Sequence, residues 1–176
     1  MMSIQFNKQI IDPETVKNGE RPIANNINNN RLSTYINEAQ QEDVKNALGD
    51  NFFIELIEYV NRDRNMPKND YYDILLNGGI YEHCGQRFQF SGLRKALNYF
   101  VYARCVKLGD GHMTAAGFVY KKLDYSERPD IDQKRAEYKD AFLIAERMMN
   151  ECLRFIKHHK ENFPAWSKQF IKSTRG

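Results

Sequence analysis

Few residues in this sequence have the types and spacing that metal binding requires. Potential ligands are adjacent at residues 82–84 (Glu-His-Cys) and at His158 and His159. Adjacent side chains on a helix point about 100° apart, so neither set closes easily on one ion. No paired-cysteine motif is present, which excludes a zinc finger or ribbon. We therefore expect no metal site and no cofactor.

Two further stretches partly match catalytic motifs but lack the structural context that those motifs need. "GDGH" at 109–112 is glycine-rich, but it follows a predicted helix and lacks the Lys-Ser/Thr of a phosphate-binding loop. "DPETVK" at 12–17 lacks a sheet that would hold two carboxylates on one ion. There is no Gly-x-Ser-x-Gly element and no cysteine beside a candidate histidine base. The sequence thus predicts no catalytic residues, and we do not expect an enzyme.

Nucleic-acid binding is the alternative function that the sequence leaves open. Basic residues gather near the start of the last predicted helix and along a central one: Lys121, Lys122, Arg128, Lys134, Arg135, Arg94, Lys95 and Lys107. Phosphate neutralisation needs a basic face, but four acidic residues between 124 and 132 dilute this one. The net charge is only +3, from 26 basic and 23 acidic residues. A small helical nucleic-acid-binding protein is therefore the alternative hypothesis.

Hydrophobic periodicity predicts mostly helical elements to carry these residues. Helices are expected over 31–39, 44–48 with a stop at Gly49, 53–60 with Asp50 or Asn51 as N-cap, 71–77 before Gly78, 91–108, and about 130–160. Alternating aromatics around Gly85 indicate a small hairpin at 80–90. Residues 112–126 read as an extended loop or a small strand pair.

The helix at 91–108 has an unusually small polar face. Leu93, Leu97 and Phe100 lie on one apolar stripe, while Tyr99 and Tyr102 cover much of the opposite side. Such a helix must be surrounded by other elements or by another subunit. The predicted fold class is therefore mainly α: a compact helical bundle with a central apolar helix, a long C-terminal helix, and a small β-hairpin or extended loop.

The long final helix has a heptad-like apolar seam. Its members are Tyr138, Phe142, Ala145, Met149, Cys152 and Ile156. An ordinary core-facing helix explains this pattern, and contact of part of the stripe with a neighbouring subunit is the alternative. The seam is too short for a free coiled coil.

Composition divides the chain into three parts. Residues 1–30 are rich in Asn and read as a flexible N-terminal arm. Residues 31–160 form the helical domain, and residues 161–176 form a C-terminal docking tail. Trp166, Phe170 and Ile171 either fold back onto the core or anchor the tail in a partner's pocket.

The sequence also limits the cellular compartment in which the protein is expected. No apolar run approaches 18 residues, so no membrane span is expected. The N-terminus lacks the apolar segment of a secretory signal. Cys105 and Cys152 stand among apolar residues, which favours buried, reduced thiols and a cytoplasm, including that of an infected host.

Several short motifs occur in an order that resembles a known family. "YINEAQ", "ALG", "FSGLRKAL" followed by "YFVYAR", and "AAGFVYK" lie within residues 28–160. Together they resemble the small helical head–tail connector, or tail-adaptor, proteins of tailed bacteriophages. The likeness is to versions from phages and prophages of Bacteroidetes, including the crAss-like group.

The resemblance implies a structural role in the virion. Such connectors form rings, usually twelve-fold, under the portal protein, and they extend the DNA channel and recruit other tail or ring proteins. The implied location is the head–tail junction, after assembly in the host cytoplasm. Non-specific contact with genomic DNA in the channel is also expected. On this reading Trp166, Phe170 and Ile171 dock on the portal or a neighbour, and Lys121 and Lys122 face the channel or another subunit.

Overall fold

The helices and strands follow one another without a large sheet. The computed structural model describes residues 8–21, 23, 27–63, 67–108, 111–114, 117–120 and 131–166. The elements are α1 (Pro13–Lys17), α2 (Asn29–Ala39), a π-helical segment (Gln40–Val44), α3 (Lys45–Leu48), α4 (Asp50–Val60), α5 (Asp70–Asn77), β1 (Gly79–His83), β2 (Gln86–Phe90), α6 (Leu93–Leu108), β3 (Gly111–Thr114), β4 (Gly117–Tyr120), α7 (Ile131–His158) and a 3₁₀ turn (Lys160–Asn162).

The predicted fold class is confirmed. The protein is a mainly α bundle in which α6 is the central apolar helix and α7, with 28 residues, is the long C-terminal one. Each strand pair is an antiparallel hairpin, with Tyr81 opposite Phe88 in the first and His112 opposite Val119 in the second. In the described residues no helix is both long enough and apolar enough to span a membrane.

The first hairpin closes at the predicted Gly85 turn, through the two residues Cys84 and Gly85. Cys84 and Gly85 both have positive φ, at 51° and 73°. Two successive residues with positive φ match the twist of a tight antiparallel hairpin, and glycine adopts this conformation at little cost.

Helix α6 is buried because other elements cover most of its circumference. Leu93, Leu97 and Val101 are fully buried. Its most extensive packing is against α7, and it also packs against α2 and α5. The predicted seam of α7 supplies Ala145, Met149, Cys152 and Ile156 to this interface as buried residues, whereas Tyr138 and Phe142 are half-buried. Most of the seam is therefore core, as its ordinary interpretation predicts.

The prediction of a flexible arm over residues 1–30 is wrong for part of that stretch. Ile10, Ile11 and Val16 are buried in the core. The backbone N–H of Ile10 donates to Oε1 of the buried Gln40 at 2.6 Å. The Asn-rich composition suggested too little apolar surface, but a few well-placed isoleucine and valine side chains are enough to anchor residues 8–21.

This N-terminal segment also covers the tyrosines of α6. The guanidinium of Arg21 lies 5.6 Å from the ring centroids of both Tyr99 and Tyr102. The hydroxyl of Tyr102 donates to Glu137 on α7 at 3.0 Å. The hydroxyl of Tyr99 donates to Glu20 at 3.2 Å. The aromatic surplus of the helix is thus accommodated within the chain itself, through cation–π contacts and two hydrogen bonds.

Two predicted boundaries are corrected. Helix α4 begins at Asp50 with Gly49 as its N-cap residue, because Gly49 (φ 84°) also ends α3 and leaves no residue between them. The predicted tail at 161–176 begins too early, since Phe163 is fully buried. Its ring packs edge-on against Phe52 and Phe155, at centroid distances of 5.5 and 5.9 Å. The helical body therefore extends at least to Phe163.

The hydrogen bond between Gln40 and the N-terminal segment gives a direct test of this packing. Gln40→Ala should lower the free energy of unfolding by about 1–3 kcal/mol, because a buried N–H loses its acceptor. Chemical denaturation of the full chain measures the change. Gln89→Ala, at an exposed strand position, is the matched control and should stay within about 0.5 kcal/mol. Equal effects of the two variants would contradict the role of Gln40.

Candidate functional site

An open groove of about 730 Å³ lies along α7. The π-helical segment and α3 form one side, α7 forms the other, and Trp166 contributes to the wall. Its apolar lining is made by Ala47, Phe100, Phe142, Met149, Leu153 and Trp166. We call this feature the docking groove.

Charge is distributed unevenly along the docking groove. Glu42, Asp43 and Glu146 line one part, and Arg154 and Lys157 line the part nearer the C-terminal end of α7. Between Glu146 and Lys157 the helix advances by roughly 16 Å. A segment with separated apolar and cationic side chains would complement this lining better than a uniformly charged one.

A partly buried ion pair holds one side of the groove. Nη1 of Arg104 on α6 lies 2.6 Å from Oδ2 of Asp43, and their side chains are 15% and 12% exposed. Burial raises the pKa of the Asp43 carboxyl, although the adjacent guanidinium opposes this shift. Asp43 belongs to the π-helical segment, a rare helical form that is often found near functional sites. The pair thus ties the groove wall to the central helix.

Trp166 folds back onto its own chain, which is one of the two alternatives that the sequence left open. Its side chain is half-buried and packs against the core, and its backbone N–H donates to the carbonyl of Phe163 at 3.0 Å. The same residue lines the docking groove. The other predicted docking residues, Phe170, Ile171, Lys121 and Lys122, lie outside the described residues.

The basic residues of α6 that suggested nucleic-acid binding make contacts inside the fold. Arg94 donates to Oδ1 of Asn77 at 2.7 Å, and Lys95 forms an ion pair with Glu20. The ammonium of Lys107 lies 5.3 Å from the ring centroid of Tyr138. The central helix therefore does not present these cations as a separate basic face. Lys121, Lys122 and Arg128 belong to the stretch that the structure leaves undescribed.

The fold brings together two histidines, His83 and His158, that belong to separate groups of potential ligands in the sequence. The rings of His83 and His158 stack at 4.0 Å with an interplanar angle of 6°. The hydroxyl of Tyr81 lies 3.2 Å from Nδ1 of His158. No local sequence signal reports this pairing, because it depends on how the first hairpin docks on the end of α7. Across the described part of the chain, no group of three or more His, Cys, Asp or Glu residues could hold a metal ion.

The cysteines do not add a reactive thiol to the interior. Cys105 and Cys152 are buried and free, as predicted. Burial raises the pKa of each thiol to about 12, so neither forms the nucleophilic thiolate near neutral pH. Cys84 is free and exposed in the hairpin turn.

One family model matches the chain. It describes a family of unknown function, DUF6712, and the match covers residues 44–170. The matched range includes α7 and Trp166, which form much of the docking groove. No curated protein and no solved structure matches the chain.

Removing the Asp43 carboxylate from the partly buried ion pair should lower the stability of the fold. Asp43→Ala should lower the free energy of unfolding by roughly 1–3 kcal/mol, because Arg104 would keep its burial and lose a close counter-charge. The control is Asp50→Ala, whose partner Lys45 lies 3.2 Å away while the Asp50 side chain is 66% exposed. This exposed pair should contribute less than about 1 kcal/mol. Chemical denaturation measures the free energy of unfolding of both variants. A larger decrease for Asp50→Ala than for Asp43→Ala would contradict the stabilising role of the Arg104–Asp43 pair.

The histidine stack should make stability depend on pH. Burial, followed by the charges of His83, His159, Arg154 and Lys157, lowers the pKa of His158 below its ordinary 6.5. The unfolded chain therefore binds this proton more readily, and stability should fall as the pH decreases through about 6.5.

Thermal melts between about pH 7.5 and 5 test this linkage. His158→Gln should flatten the dependence relative to the unmodified chain, and His83→Gln should flatten it partly, because one nearby positive charge is removed. If all three proteins lose stability in parallel on acidification, the stack is not the source of the dependence.

Proposed function

The chain belongs to the DUF6712 family, and we propose that it is a structural virion protein that forms a ring between the portal and the tail. In this role it extends the DNA channel and recruits tail components. The sequence motifs that resemble head–tail connectors support the proposal, as does a helical body of the kind such proteins use. The partners proposed are further copies of the chain, the portal protein and other tail or ring proteins.

The observation that carries the proposal is an open groove with an apolar lining on a body whose core is already filled. Phe52, Phe155 and Phe163 are fully buried within that core. The groove beside it is lined by Phe142 and Leu153, which are only partly buried. An apolar groove bordered by charged residues has the layout of a protein interaction site, with an apolar centre and a polar rim.

Exposed apolar side chains outside the groove lining offer further contact positions for self-association. Ile54 on α4, Ile80 on β1 and Leu143 on α7 are 41%, 59% and 47% exposed. A ring requires that one surface of each subunit meets a different surface of the next. The docking groove and these apolar positions would supply such unlike surfaces. Mixed charge would then help to set the orientation of adjacent copies.

Ring assembly can be tested with purified components. The chain is expressed alone and together with the portal protein of the same genome, and the products are examined by light scattering and negative-stain electron microscopy. We expect closed rings, either of the chain alone or on the portal. Leu143→Asp should reduce ring yield strongly without changing the melting temperature, because it places a charge in an apolar contact.

Gln89→Asp is the control, since it adds the same acid at an exposed position without removing apolar surface. It should form rings as the unmodified chain does. Single subunits that never associate with the portal would contradict the proposal. Retardation of DNA by a monomer or dimer at moderate salt would favour the nucleic-acid alternative instead.

A further inference from the structure

We infer that the docking groove binds an amphipathic α-helix of a different protein, with acidic residues in its first turn and basic residues in its last turn. This inference deepens the proposed function, because it states the chemistry of the partner that the groove takes. It rests on that function only for where the partner is found. The binding preference itself follows from the lining of the groove.

The helical walls of the docking groove determine the backbone conformation of its occupant. Helix α7 forms one wall, and the π-helical segment and α3 form the other. Backbone N–H and C=O groups within a helix are already paired along the chain. An extended peptide would bury its own backbone groups against these walls without partners, whereas a helix pairs its backbone internally. The groove between the two walls therefore receives a third helix more readily than a strand.

The apolar side chains of α7 that line the groove repeat at helical spacing. Phe142, Met149 and Leu153 lie along one side of α7, and Ala47 and Trp166 also line the groove. A helix that lies along this lining must present apolar side chains every three or four residues on one face. The occupant is therefore an amphipathic helix.

Charges in two separate parts of the groove specify the order of charges in the partner. Glu42 and Glu146 are exposed in the acidic part. Burial raises the pKa of the Asp43 carboxyl, and the negative charges of Glu42 and Glu146 raise it further, so the three carboxyl groups lie close together. Arg154 and Lys157 are exposed in the basic part. The partner therefore needs cations at the first part and carboxylates at the second.

The helix dipole determines the direction in which such a partner runs. Carboxylates stabilise a helix at its N-terminus, and cations stabilise it at its C-terminus. A partner with this order places its first turn at Arg154 and Lys157 and its last turn at Glu42 and Glu146. It therefore runs antiparallel to α7. The separation of roughly 16 Å between Glu146 and Lys157 corresponds to about 11 residues of the partner.

The described helices of this chain do not supply such a partner. The large apolar side chains exposed on them are Ile54 on α4, Tyr71 on α5, and Ile131 and Leu143 on α7. The two on α7 lie about 120° apart around the helix, so none of these described helices presents a continuous apolar face. Of the two uses proposed for the groove, recruitment of another component is therefore favoured over contact with a copy.

A synthetic peptide of about 18 residues tests the inference. The probe is labelled with fluorescein and carries glutamates in its first turn, lysines in its last turn, and leucines every three or four residues between them. The control peptide has the same composition, but its glutamates and lysines are interleaved. Fluorescence anisotropy with the full-length chain at low salt measures the dissociation constants. We expect saturable binding of the probe, and binding of the control that is weaker by about fivefold or more.

Charge reversal in the chain tests where the basic turn of the probe binds. Glu42→Lys with Glu146→Lys should weaken binding of the probe about tenfold or more. The matched control, Glu58→Lys with Glu82→Lys, makes the same change in net charge at exposed positions outside the lining and should not. A peptide with glutamates in both end turns should bind the Glu42, Glu146 variant more tightly than it binds the unmodified chain. Circular dichroism and thermal melts verify that both variants stay folded.

Absence of saturable binding of the probe at chain concentrations up to about 0.5 mM would overturn the inference. Equal binding of the probe and the interleaved peptide, or equal binding of the probe by the two double variants, would overturn it as well. Light scattering of the chain alone tests for a copy in the groove. An oligomer that the Glu42, Glu146 variant no longer forms would show that a copy fills the groove, which also contradicts the inference.

These measurements use the isolated chain and no portal protein, so the two proposals can fail separately. Loss of ring assembly with binding of the probe retained would contradict the proposed function alone. Rings without binding of the probe would contradict this inference alone.

Discussion

The fold depends on enclosing one helix that has almost no polar face. Helix α6 is covered by α7, α2 and α5, and the N-terminal segment closes the side that carries Tyr99 and Tyr102. Polar contacts also join α6 to the N-terminal segment and to the π-helical segment: Asn98 donates to the carbonyl of Thr15 at 2.9 Å, and Arg104 reaches Asp43 at 2.6 Å. Burial supplies most of the stabilisation, while these directional contacts select one arrangement of the covering elements.

The docking groove follows from the same constraint. Its two sides, α7 and the π-helical segment, both pack on α6, and Phe100 of α6 contributes to the lining. Trp166 lies at this place because Phe163 is locked into the core three residues earlier. The groove is therefore formed by elements that are far apart in the sequence. The proposed assembly role would account both for this open groove and for the connector-like motifs.

Local patterns in the sequence predicted most of the elements but not their contacts. The longer helices, the first hairpin and the central position of α6 follow from periodicity and from Gly49 and Gly85, whereas α1 and the π-helical segment were not predicted. The anchoring of Ile10 and Ile11 was missed, because averaging composition over an Asn-rich stretch hides a few apolar residues. The stack of His83 on His158 joins residues 75 positions apart and depends on hairpin docking, so no spacing rule could reveal it. Trp166 was predicted as a docking residue from its residue type, but only the structure shows its position in the groove wall.

The central claim is that the apolar surface left open on this helical body serves assembly at the junction of head and tail. Electron cryomicroscopy of tailed-phage particles produced from the genome that carries the chain's gene tests it most directly, because side-chain density identifies the polypeptide. The account predicts a closed ring of copies of this chain beneath the portal, with the docking groove in contact with another subunit. A junction fully traced with other polypeptides, and containing no copy of this chain, would contradict it.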